Sequence, residues 1–569
     1  MVELESSPQT LEELWKKSYP KGNERSIEIP DKSVYQLLKD SATKFPDSVA
    51  LVFFGKKVTY KAFLAMVDAL AFNLKENLRL FKDAKVGFIL PNTPQYAISF
   101  FAVAKIGGVV VQTNPIYTEA EIHDEYKSTE VSAVITLDLY YEKVANLAKN
   151  DISIVVTKVK DFLTPLAAFV YKRKTRNDPK PPVINYTGRI FRFTDLIKSG
   201  NSPEEKIDPQ YDPVLFQFTG GTTGTPKAAM LSHRNLVANT SQLKAWHSSL
   251  NNPGIYMSTL PFFHVYGMMT SLVLPVTTGS KMIFVPDPRD TETLLKLINK
   301  YKPDYLPGVP TLYKSLINRP DIAKYNLKSI KVCVSGGAPL PVETQKRFED
   351  ITGGLLIEGY GLSETSPVVT ANPVDRNARK IGSVGLPLPN TELRLVNQYS
   401  LETVALGEEG ELMVKGPQVM LGYWRNEAET SEVIIDGWLR TGDIGKFDSS
   451  GFLYLVDRKK DMIISSGYNV YPREIEEVFY KHPDVIEAAA IGVPDPKRGQ
   501  SVKVYVVKKE GSPVTEQELL NFASKQLAPY KRPKSVEFKK DLPRTLVGKV
   551  LKRELRTDKP DTSRIKRNL

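Results

Sequence analysis

The 569-residue sequence contains little cysteine and histidine, with one cysteine, Cys333, and five histidines. A single cysteine excludes an intramolecular disulfide and agrees with a reducing compartment such as the cytoplasm. Because Cys333 lies in the apolar run Val332–Val334, the sequence predicts an inert buried thiol. So few thiol and imidazole groups also leave little material for a zinc site.

Long apolar runs are absent as well. The first residues, Met1–Ser7, are acidic and lack an apolar centre, so we expect no secretory signal. The longest apolar stretch, Ala97–Val111, is interrupted by Lys105 and a glycine pair. It is too short to span a bilayer and predicts a buried helix followed by a strand.

The 77 basic and 65 acidic residues give a formal net charge of +12. This charge is compatible with nucleic acid, but the basic residues are spread through the chain instead of being gathered on one motif. Attraction for polyanionic small molecules or for a membrane surface fits the charge equally well. The length exceeds what one hydrophobic core usually supports, so we expect two or more domains.

The first half of the sequence alternates helix and strand patterns, which predicts an α/β fold with parallel sheets covered by helices. The predicted elements are helices over Phe63–Leu74, after Asn92 and from the capping box Thr118–Glu121, and strands at Val86–Leu90, Val109–Gln112 and Val131–Thr136. A second set of strands and helices spans Met257–Gly354. Dense turns over Gly382–Gly422 predict a smaller β-rich subdomain.

The carboxy-terminal part predicts a separate, compact α+β domain of about a hundred residues. Pro472 suits the first turn of a helix, and Thr515–Glu518 forms a capping box that opens another. Apolar runs at Val485–Gly492 and Val502–Val507 predict two strands.

The composition shifts between Asp161 and Pro182. Apolar residues from Phe162 to Tyr171 precede the basic run Lys172–Arg176. Contact with a membrane or an acyl-lipid source is one interpretation. Because the run is short, the sequence favours a solvated loop that packs on the domain through its aromatic residues.

The run Phe218–Lys227 combines glycines, threonines and one lysine in a turn-forming segment after the predicted strand Val214–Phe218. Glycines let backbone N–H groups converge on an anion, hydroxyls add donors, and the lysine supplies a point charge. This chemistry predicts a phosphate site at a strand end. Pro226 before the lysine and Ala228 after it exclude a Walker loop.

Two further turn-rich motifs carry nucleotide-binding chemistry. Tyr360–Thr365 offers an aromatic plane, hydroxyls and a carboxylate, which suit a base, a phosphate and Mg²⁺. Gly437–Asp443 places an acid on a turn, where it can accept hydrogen bonds from ribose hydroxyls.

Together these motifs resemble the adenylate-forming superfamily of acyl-CoA synthetases, firefly luciferase and peptide-synthetase adenylation domains. The resemblance covers nearly the whole chain in order. The further matching motifs are Pro261–Gly267, Ser335–Leu340, Thr441–Asp443, Asp457–Asp461, Ser466–Pro472 and Pro543–Lys549.

The resemblance implies a two-step ligase that converts a carboxylic acid and ATP to acyl-adenylate and pyrophosphate, and then uses coenzyme A to release AMP. The implied ATP contacts are Thr219, Thr222, Thr223 and Lys227 for the β- and γ-phosphates, Ser363 for the α-phosphate, Tyr360, Gly337 and Ala338 for adenine, Asp443 and Arg458 for the ribose, and Glu364 for Mg²⁺. His264 matches a residue between the acyl pocket and the adenylate.

The resemblance also implies domain movement between the two steps. Residues 1–456 would form a large domain that binds ATP and the acyl group, and residues 457–569 a small mobile α+β domain hinged near Lys460. Lys549 would bridge the attacking carboxylate and the phosphoryl oxygen, where a fixed cation offsets the repulsion of two anions.

Three positions depart from the relatives. Ser363 stands where threonine is commoner, which keeps the hydroxyl. Ile464 stands where a lysine is common, and Met268 where one long-chain synthetase has a tryptophan gate, so neither contact is carried over. A medium- or long-chain fatty acid is the favoured substrate, with an aryl or short-chain acid as the alternative. A P-loop ATPase or a nucleic-acid-binding protein would leave Lys549 and Asp443 unexplained. Peripheral membrane contact and a monomer or homodimer stay open.

Overall fold

The computed structural model describes residues 10–177, 180–220, 226–246, 252–397, 399–458, 461–465, 468–495, 498–545 and 550–557. They form two compact units. The first contains the residues up to Leu393 together with Val414–Arg440 and Ser450–Phe452. The second contains Arg394–Met413, Thr441–Ser449 and the residues from Leu453 onward.

The helices and strands follow in chain order. The α-helices are α1 Leu11–Ser18, α2 Val34–Lys44, α3 Tyr60–Glu76, α4 Pro94–Lys105, α5 Glu119–Thr129, α6 Pro165–Lys174, α7 Phe193–Leu196, α8 His233–Trp246, α9 Val265–Met268, α10 Leu274–Thr277, α11 Thr291–Tyr301, α12 Pro310–Ile317, α13 Val342–Thr352, α14 Glu427–Val433, α15 Pro472–Tyr480, α16 Glu516–Ser524 and α17 Lys552–Thr557. The strands of the first part of the chain are β1 Val49–Phe53, β2 Lys56–Thr59, β3 Lys85–Ile89, β4 Val109–Gln112, β5 Val131–Leu137, β6 Ser153–Thr157, β7 Ile190–Arg192, β8 Pro213–Gly220, β9 Pro226–Ser232, β10 Ile255–Ser258, β11 Lys281–Phe284, β12 Val332–Ser335, β13 Leu355–Gly361, β14 Val368–Ala371 and β15 Leu386–Pro387. The later strands are β16 Glu392–Val396, β17 Gly410–Lys415, β18 Gly422–Tyr423, β19 Ile434–Ile435, β20 Trp438–Phe447, β21 Leu453–Arg458, β22 Ile463–Ser465, β23 Tyr468–Val470, β24 Val485–Asp495, β25 Gly499–Lys508 and β26 Ser535–Phe538.

An eight-stranded sheet in the order β18-β9-β8-β4-β3-β5-β6-β7 forms the centre of the first unit. The six strands from β8 to β7 are parallel, and the hairpin partner β9 and the short β18 add antiparallel pairs at one edge. This arrangement confirms the predicted α/β class with parallel strands.

Successive residues of these strands are buried on opposite faces, as expected for a parallel sheet covered on both sides. In β4, Val110 packs in the cluster that contains α3 and α4, while Val109 and Val111 pack in the cluster that contains α5. Every residue of α4 is buried. The apolar stretch Ala97–Val111 is therefore a buried helix and strand, as the sequence predicted.

The first unit also contains two four-stranded sheets, in the orders β10-β11-β1-β2 and β12-β13-β14-β15. In the second unit, β23, β22, β25 and β24 form a sheet with β26 beside β25, and α15 and α16 pack on it. Pro472 begins α15 and Thr515 caps α16, as predicted. The predicted boundary at residue 457 stays a prediction, since the compact units divide the chain differently.

The segment from Asp161 to Pro182 is not the solvated loop that the sequence favoured. Phe162 and Leu163 are buried, and Pro165 begins the ten-residue helix α6, capped by the Thr164 hydroxyl. A hydroxyl followed by proline is a strong helix start, and it outweighs the shortness of the apolar run. Among the described residues, no helix combines the length and apolarity needed to cross a membrane.

Candidate active site

The described residues of the run predicted to bind phosphate, 218–220 and 226–227, lie in the antiparallel pair of β8 and β9. Thr219 pairs with Lys227 and Gly220 with Pro226 across the two strands. A strand follows the turn where a Walker loop would have a helix, which agrees with the exclusion made from Pro226 and Ala228. Thr222 and Thr223 lie outside the described residues.

Lys227 is almost fully enclosed, with 8% of its surface exposed. Its ammonium forms an ion pair with Glu429 and lies 5.6 Å from the centre of the Tyr423 ring. Glu429 belongs to the first turn of α14, which Asn426 caps. The cation is thus held in place by a carboxylate and an aromatic face.

Tyr423 connects the hairpin to the carboxylate predicted to bind Mg²⁺. It lies in β18, where it pairs with Ala229 of β9, and its hydroxyl donates to Glu364 Oε1 at 3.0 Å. The Thr219 hydroxyl is a further hydrogen-bonding neighbour. Burial, followed by the charge of Glu364, raises the pKa of Tyr423, so the phenol stays neutral and donating.

We call Thr219, Lys227, Glu364, Tyr423 and Glu429 the phosphate cluster. The backbone keeps Glu364 beside the other members, because the amide of Met420 donates to the Glu364 carbonyl at 2.8 Å. The cluster brings together two motifs that are more than a hundred residues apart in the sequence.

The turn that carries Ser363 and Glu364 is tightly constrained. The Thr365 hydroxyl donates to the Pro367 carbonyl at 2.6 Å and accepts from the amide of Leu362 at 3.0 Å. A Cβ on Gly361 would lie 1.8 Å from the Pro367 carbonyl oxygen, so only glycine fits there. These contacts present both predicted side chains on a short helical turn over Ser363–Thr365.

The predicted adenine-pocket residues lie at one edge of a strand pair. Strands β12 and β13 are parallel, so their carboxyl ends meet at the same edge. Gly337 and Ala338 follow β12, and Tyr360 lies near the end of β13, opposite Thr370 of β14. Gly337 has a φ of +79°, a conformation that glycine adopts without strain.

His264 lies at the amino-terminal end of α9, where its Nδ1 accepts a hydrogen bond from the amide of Tyr266 at 3.2 Å. The next amide, of Val265, donates to Gln217 Oε1 of β8 at 2.9 Å. The loop before it is held by Asn92, whose Oδ1 accepts from the amide of Phe262 at 2.8 Å. His264 is therefore positioned from the strand that carries the phosphate hairpin.

The predicted ribose residues belong to the second unit. Asp443 of β20 pairs directly with Arg458 of β21, and the Asp443 side chain is buried. The Thr441 hydroxyl accepts from the amide of Asp443 at 3.1 Å. The two residues are neighbours across the strands, and their contact with the ribose stays a prediction.

Lys460 and Lys549 lie outside the described residues, so their predicted roles are not tested. The residues that flank Lys549 are anchored. Arg544 and Val550 form an antiparallel bridge, and Arg544 pairs with Glu487 of β24. On the other side, Lys552 Nζ lies 2.9 Å from Glu476 Oε1 of α15.

The described residues contain no group of three or more His, Cys, Asp or Glu side chains that could hold a metal ion. Glu364 is the single predicted metal ligand. One carboxylate fits Mg²⁺, which takes one or two protein carboxylates and completes its shell with phosphate and water oxygens. Glu364 lies beside the phosphate hairpin, where ATP phosphates would supply those oxygens.

Sequence reasoning missed Tyr423, Glu429 and Gln217. Glu429 follows the cap residue Asn426 by three positions, a pattern that predicts only a helix start. Tyr423 belongs to a two-residue strand whose partner lies almost two hundred residues earlier. The pairing of β18 with β9 brings Tyr423 to Lys227, and the placement of α14 brings Glu429 there.

Comparisons with known proteins agree with this arrangement. A family model described as AMP-binding enzyme matches residues 38–424, and one described as AMP-binding enzyme C-terminal domain matches residues 474–549. A long-chain-fatty-acid–CoA ligase of Bacillus subtilis (strain 168) is 43% identical over 97% of this chain and 99% of its own length.

A long-chain-fatty-acid–CoA ligase of Escherichia coli O157:H7 is 37% identical over 96% of this chain and 98% of its own. Among solved structures, ATP-bound MatB from Rhodopseudomonas palustris superposes with a TM-score of 0.80 at 29% identity, covering 92% of this chain and 98% of that one. The chain therefore belongs to the AMP-binding enzyme family, as its motifs predicted.

Proposed function

We propose that the protein is an ATP-dependent fatty acid–CoA ligase, which forms acyl-AMP and then acyl-CoA and releases pyrophosphate and AMP. The observation that carries the proposal is the phosphate cluster, in which Tyr423 joins the hairpin of Lys227 to Glu364. Support for a fatty acid comes from the full-length relatives named long-chain-fatty-acid–CoA ligases, at up to 43% identity.

In the first half-reaction, a carboxylate oxygen of the fatty acid bonds to the α-phosphorus of ATP, and the bond to the bridging oxygen breaks to release pyrophosphate. Thr219 and Lys227, with Thr222 and Thr223, hold the β- and γ-phosphates, and Ser363 contacts the α-phosphate. Tyr360, with Gly337 and Ala338, holds adenine, and Asp443 and Arg458 hold the ribose. Glu364 holds Mg²⁺, which supplies positive charge to the phosphates when bound.

Lys549 lies between the two anions in this step and offsets their repulsion. In the second half-reaction, the thiol sulphur of coenzyme A bonds to the acyl carbon and AMP leaves with the carboxylate oxygen. The proposal includes movement of the carboxy-terminal domain about Lys460 between the steps, and a position for His264 between the acyl chain and the adenylate.

We also propose a cytoplasmic protein with peripheral membrane contact. This scheme applies equally to a monomer and to a homodimer, because every residue assigned to the site comes from one chain.

The test is pyrophosphate release by the purified full-length protein with ATP, Mg²⁺, coenzyme A and a panel of acids from acetate to palmitate, with benzoate as the aromatic member. We expect release that requires an acid, and the highest thioester yield with medium or long chains. A maximum with acetate or benzoate would instead support the alternative, an aryl or short-chain ligase. ADP formation without added acid would contradict the ligase altogether.

A further inference from the structure

Helix α6 exposes an apolar stripe. Leu166, Phe169 and Val170 are 75%, 66% and 47% exposed. Spacings of three and four residues place them on one face of the helix. The opposite side of α6 is fixed to the protein, because Ala167, Ala168 and Tyr171 pack against the main core. The stripe is therefore displayed by an anchored helix.

The exposed stripe carries a strong positive charge on its flanks. The segment 158–176 contains six basic residues and one acidic residue, Asp161. Lys172, Arg173 and Arg176 are exposed at the carboxy-terminal end of α6. An apolar face bordered by basic side chains is the pattern of helices that lie in the interface of an anionic membrane.

A second element adds to this surface. In the turn between β1 and β2, Phe54 is 45% exposed and Lys57 is exposed. The turn adjoins the base of α6, because Lys56 Nζ lies 3.4 Å from the Asp161 carbonyl and 4.9 Å from the Phe162 ring. Helix α6 and the turn between β1 and β2 thus each present exposed apolar side chains beside a lysine.

The surface lies on the same edge of the central sheet as the phosphate hairpin. Helix α6 follows the carboxyl end of β6, and the hairpin begins at the carboxyl end of β8, with all intervening strand pairs parallel. Four strand spacings separate β6 from β8, which is about 19 Å.

We propose that Phe54, Leu166, Phe169 and Val170, with the basic residues of α6, form a membrane face that docks on a bilayer containing anionic lipids. The apolar tips enter the boundary between headgroups and acyl chains, and the basic side chains lie among the lipid phosphates. The reason for such docking rests on the proposed function, because fatty acids partition into bilayers and would enter from the side of the hairpin.

The experiment is flotation of the full-length protein with phosphatidylcholine vesicles, with and without phosphatidylglycerol. We expect binding that needs phosphatidylglycerol and weakens with salt. Phe169→Glu should lower the partition coefficient at least about tenfold. The double variant Lys172→Gln, Arg173→Gln should lower it roughly twentyfold, from about fivefold for each charge.

Tyr211→Glu is the matched control. Tyr211 is 65% exposed, as Phe169 is, but it precedes the amino end of β8, at the opposite edge of the sheet. This variant should bind vesicles like the unchanged protein. Equal binding by Phe169→Glu and the unchanged protein would overturn the membrane face.

Two further measurements separate the alternatives. Sedimentation without lipid tests a second copy of the chain as the occupant, and a dimer that Phe169→Glu converts to a monomer would overturn the proposal. Acyl-CoA formation from octanoate in solution should be unchanged in Phe169→Glu. If the unchanged protein makes no acyl-CoA from any acid, the proposed function fails while the vesicle result still decides the membrane face.

Discussion

The two regions that carry the signature lysines are built differently. The hairpin that presents Lys227 consists of two strands of the central sheet, and the lysine is enclosed against Glu429 and Tyr423. Among the described residues on either side of Lys549, Arg544 and Val550 form a bridge and the amide of Leu551 donates to the Pro543 carbonyl at 2.8 Å.

In the proposed mechanism, this difference separates a permanent binding site from an exchangeable one. The phosphate cluster depends on long-range strand pairing within the first unit, so its geometry persists for as long as the sheet does. The described residues that flank Lys549 are held within the second unit, where Arg544 pairs with Glu487 and Lys552 with Glu476. The lysine proposed for the first half-reaction therefore belongs to the unit proposed to move.

The largest expected effect is that of Lys549→Ala. Acyl-adenylate formation should fall by roughly a hundredfold or more, because the fixed cation between two anions is lost. Thioester formation from supplied acyl-adenylate should largely survive. Rapid-quench assays of each half-reaction measure both, and Lys540→Ala, which changes an exposed lysine nearby, is the control. An equal loss of rate in both half-reactions would contradict the distinction between a permanent and an exchangeable site.

Lys227→Met tests the other site of the comparison, the phosphate cluster of the first unit. The KM for ATP should rise roughly tenfold, since a phosphate-binding charge is lost, while kcat falls less than in Lys549→Ala. Glu429→Gln keeps the lysine and removes its partner, so it should change the KM for ATP by only a few-fold. Steady-state kinetics with ATP varied at saturating acid would show the split. A kcat effect as large as that of Lys549→Ala would contradict it.

Tyr423→Phe tests whether the cluster acts as one unit. Loss of the hydroxyl bond to Glu364 should raise the Mg²⁺ concentration for half-maximal activity about fivefold, because one hydrogen bond contributes about 1 kcal/mol net. Tyr35→Phe is the matched control, since the Tyr35 hydroxyl donates to Asp68 Oδ1 at 2.8 Å, and neither residue is assigned to the site. The Mg²⁺ dependence of activity is measured in both variants. An identical response would show that the Tyr423 hydroxyl does not contribute to metal binding.

The smallest effect on turnover is expected at Glu125, which tests the sheet beneath the hairpin. Burial raises the pKa of Glu125 from 4.5 to about 8, and the carboxyl accepts from the Thr113 hydroxyl at 3.1 Å, just after β4. The folded state therefore holds a proton that the unfolded state loses. The free energy of unfolding should fall by about 3 kcal/mol as the pH rises from about 5 to about 8.

Glu125→Gln should flatten this pH dependence and leave kcat unchanged. Urea unfolding at about pH 6 and about pH 9 measures it, and the slope of the denaturant dependence should stay the same in both proteins. An unaltered loss of stability between the two pH values would show that Glu125 does not carry this proton.

Much of the fold was predictable because its signals are local. The strand at Val109–Gln112, the capping boxes at Thr118 and Thr515 and the proline start at Pro472 depend on neighbours in the sequence, and the structure confirms them. The motif pattern also predicted that Thr219, Lys227 and Glu364 share one site. Helix α6 was missed, although Thr164 and Pro165 are a local helix start, because its short apolar run was read as a loop.

The rest of the site depends on contacts that no local pattern encodes. Tyr423 reaches Glu364 only through the pairing of β18 with β9, and Glu429 reaches Lys227 only through the placement of α14. Gln217 is one polar residue in an apolar strand, and its role emerges when Val265 donates to it. Such residues become visible only when distant segments are brought together.

The most direct test of the central claim follows the oxygen that moves between substrates. With a fatty acid whose carboxylate is labelled with heavy oxygen, the proposed mechanism transfers one carboxylate oxygen to the phosphate of AMP, because that oxygen bonds to the α-phosphorus and leaves with AMP. Mass spectrometry of the products should find the label in AMP, one atom for each acyl-CoA formed. Unlabelled AMP, or label in pyrophosphate, would contradict the adenylation mechanism.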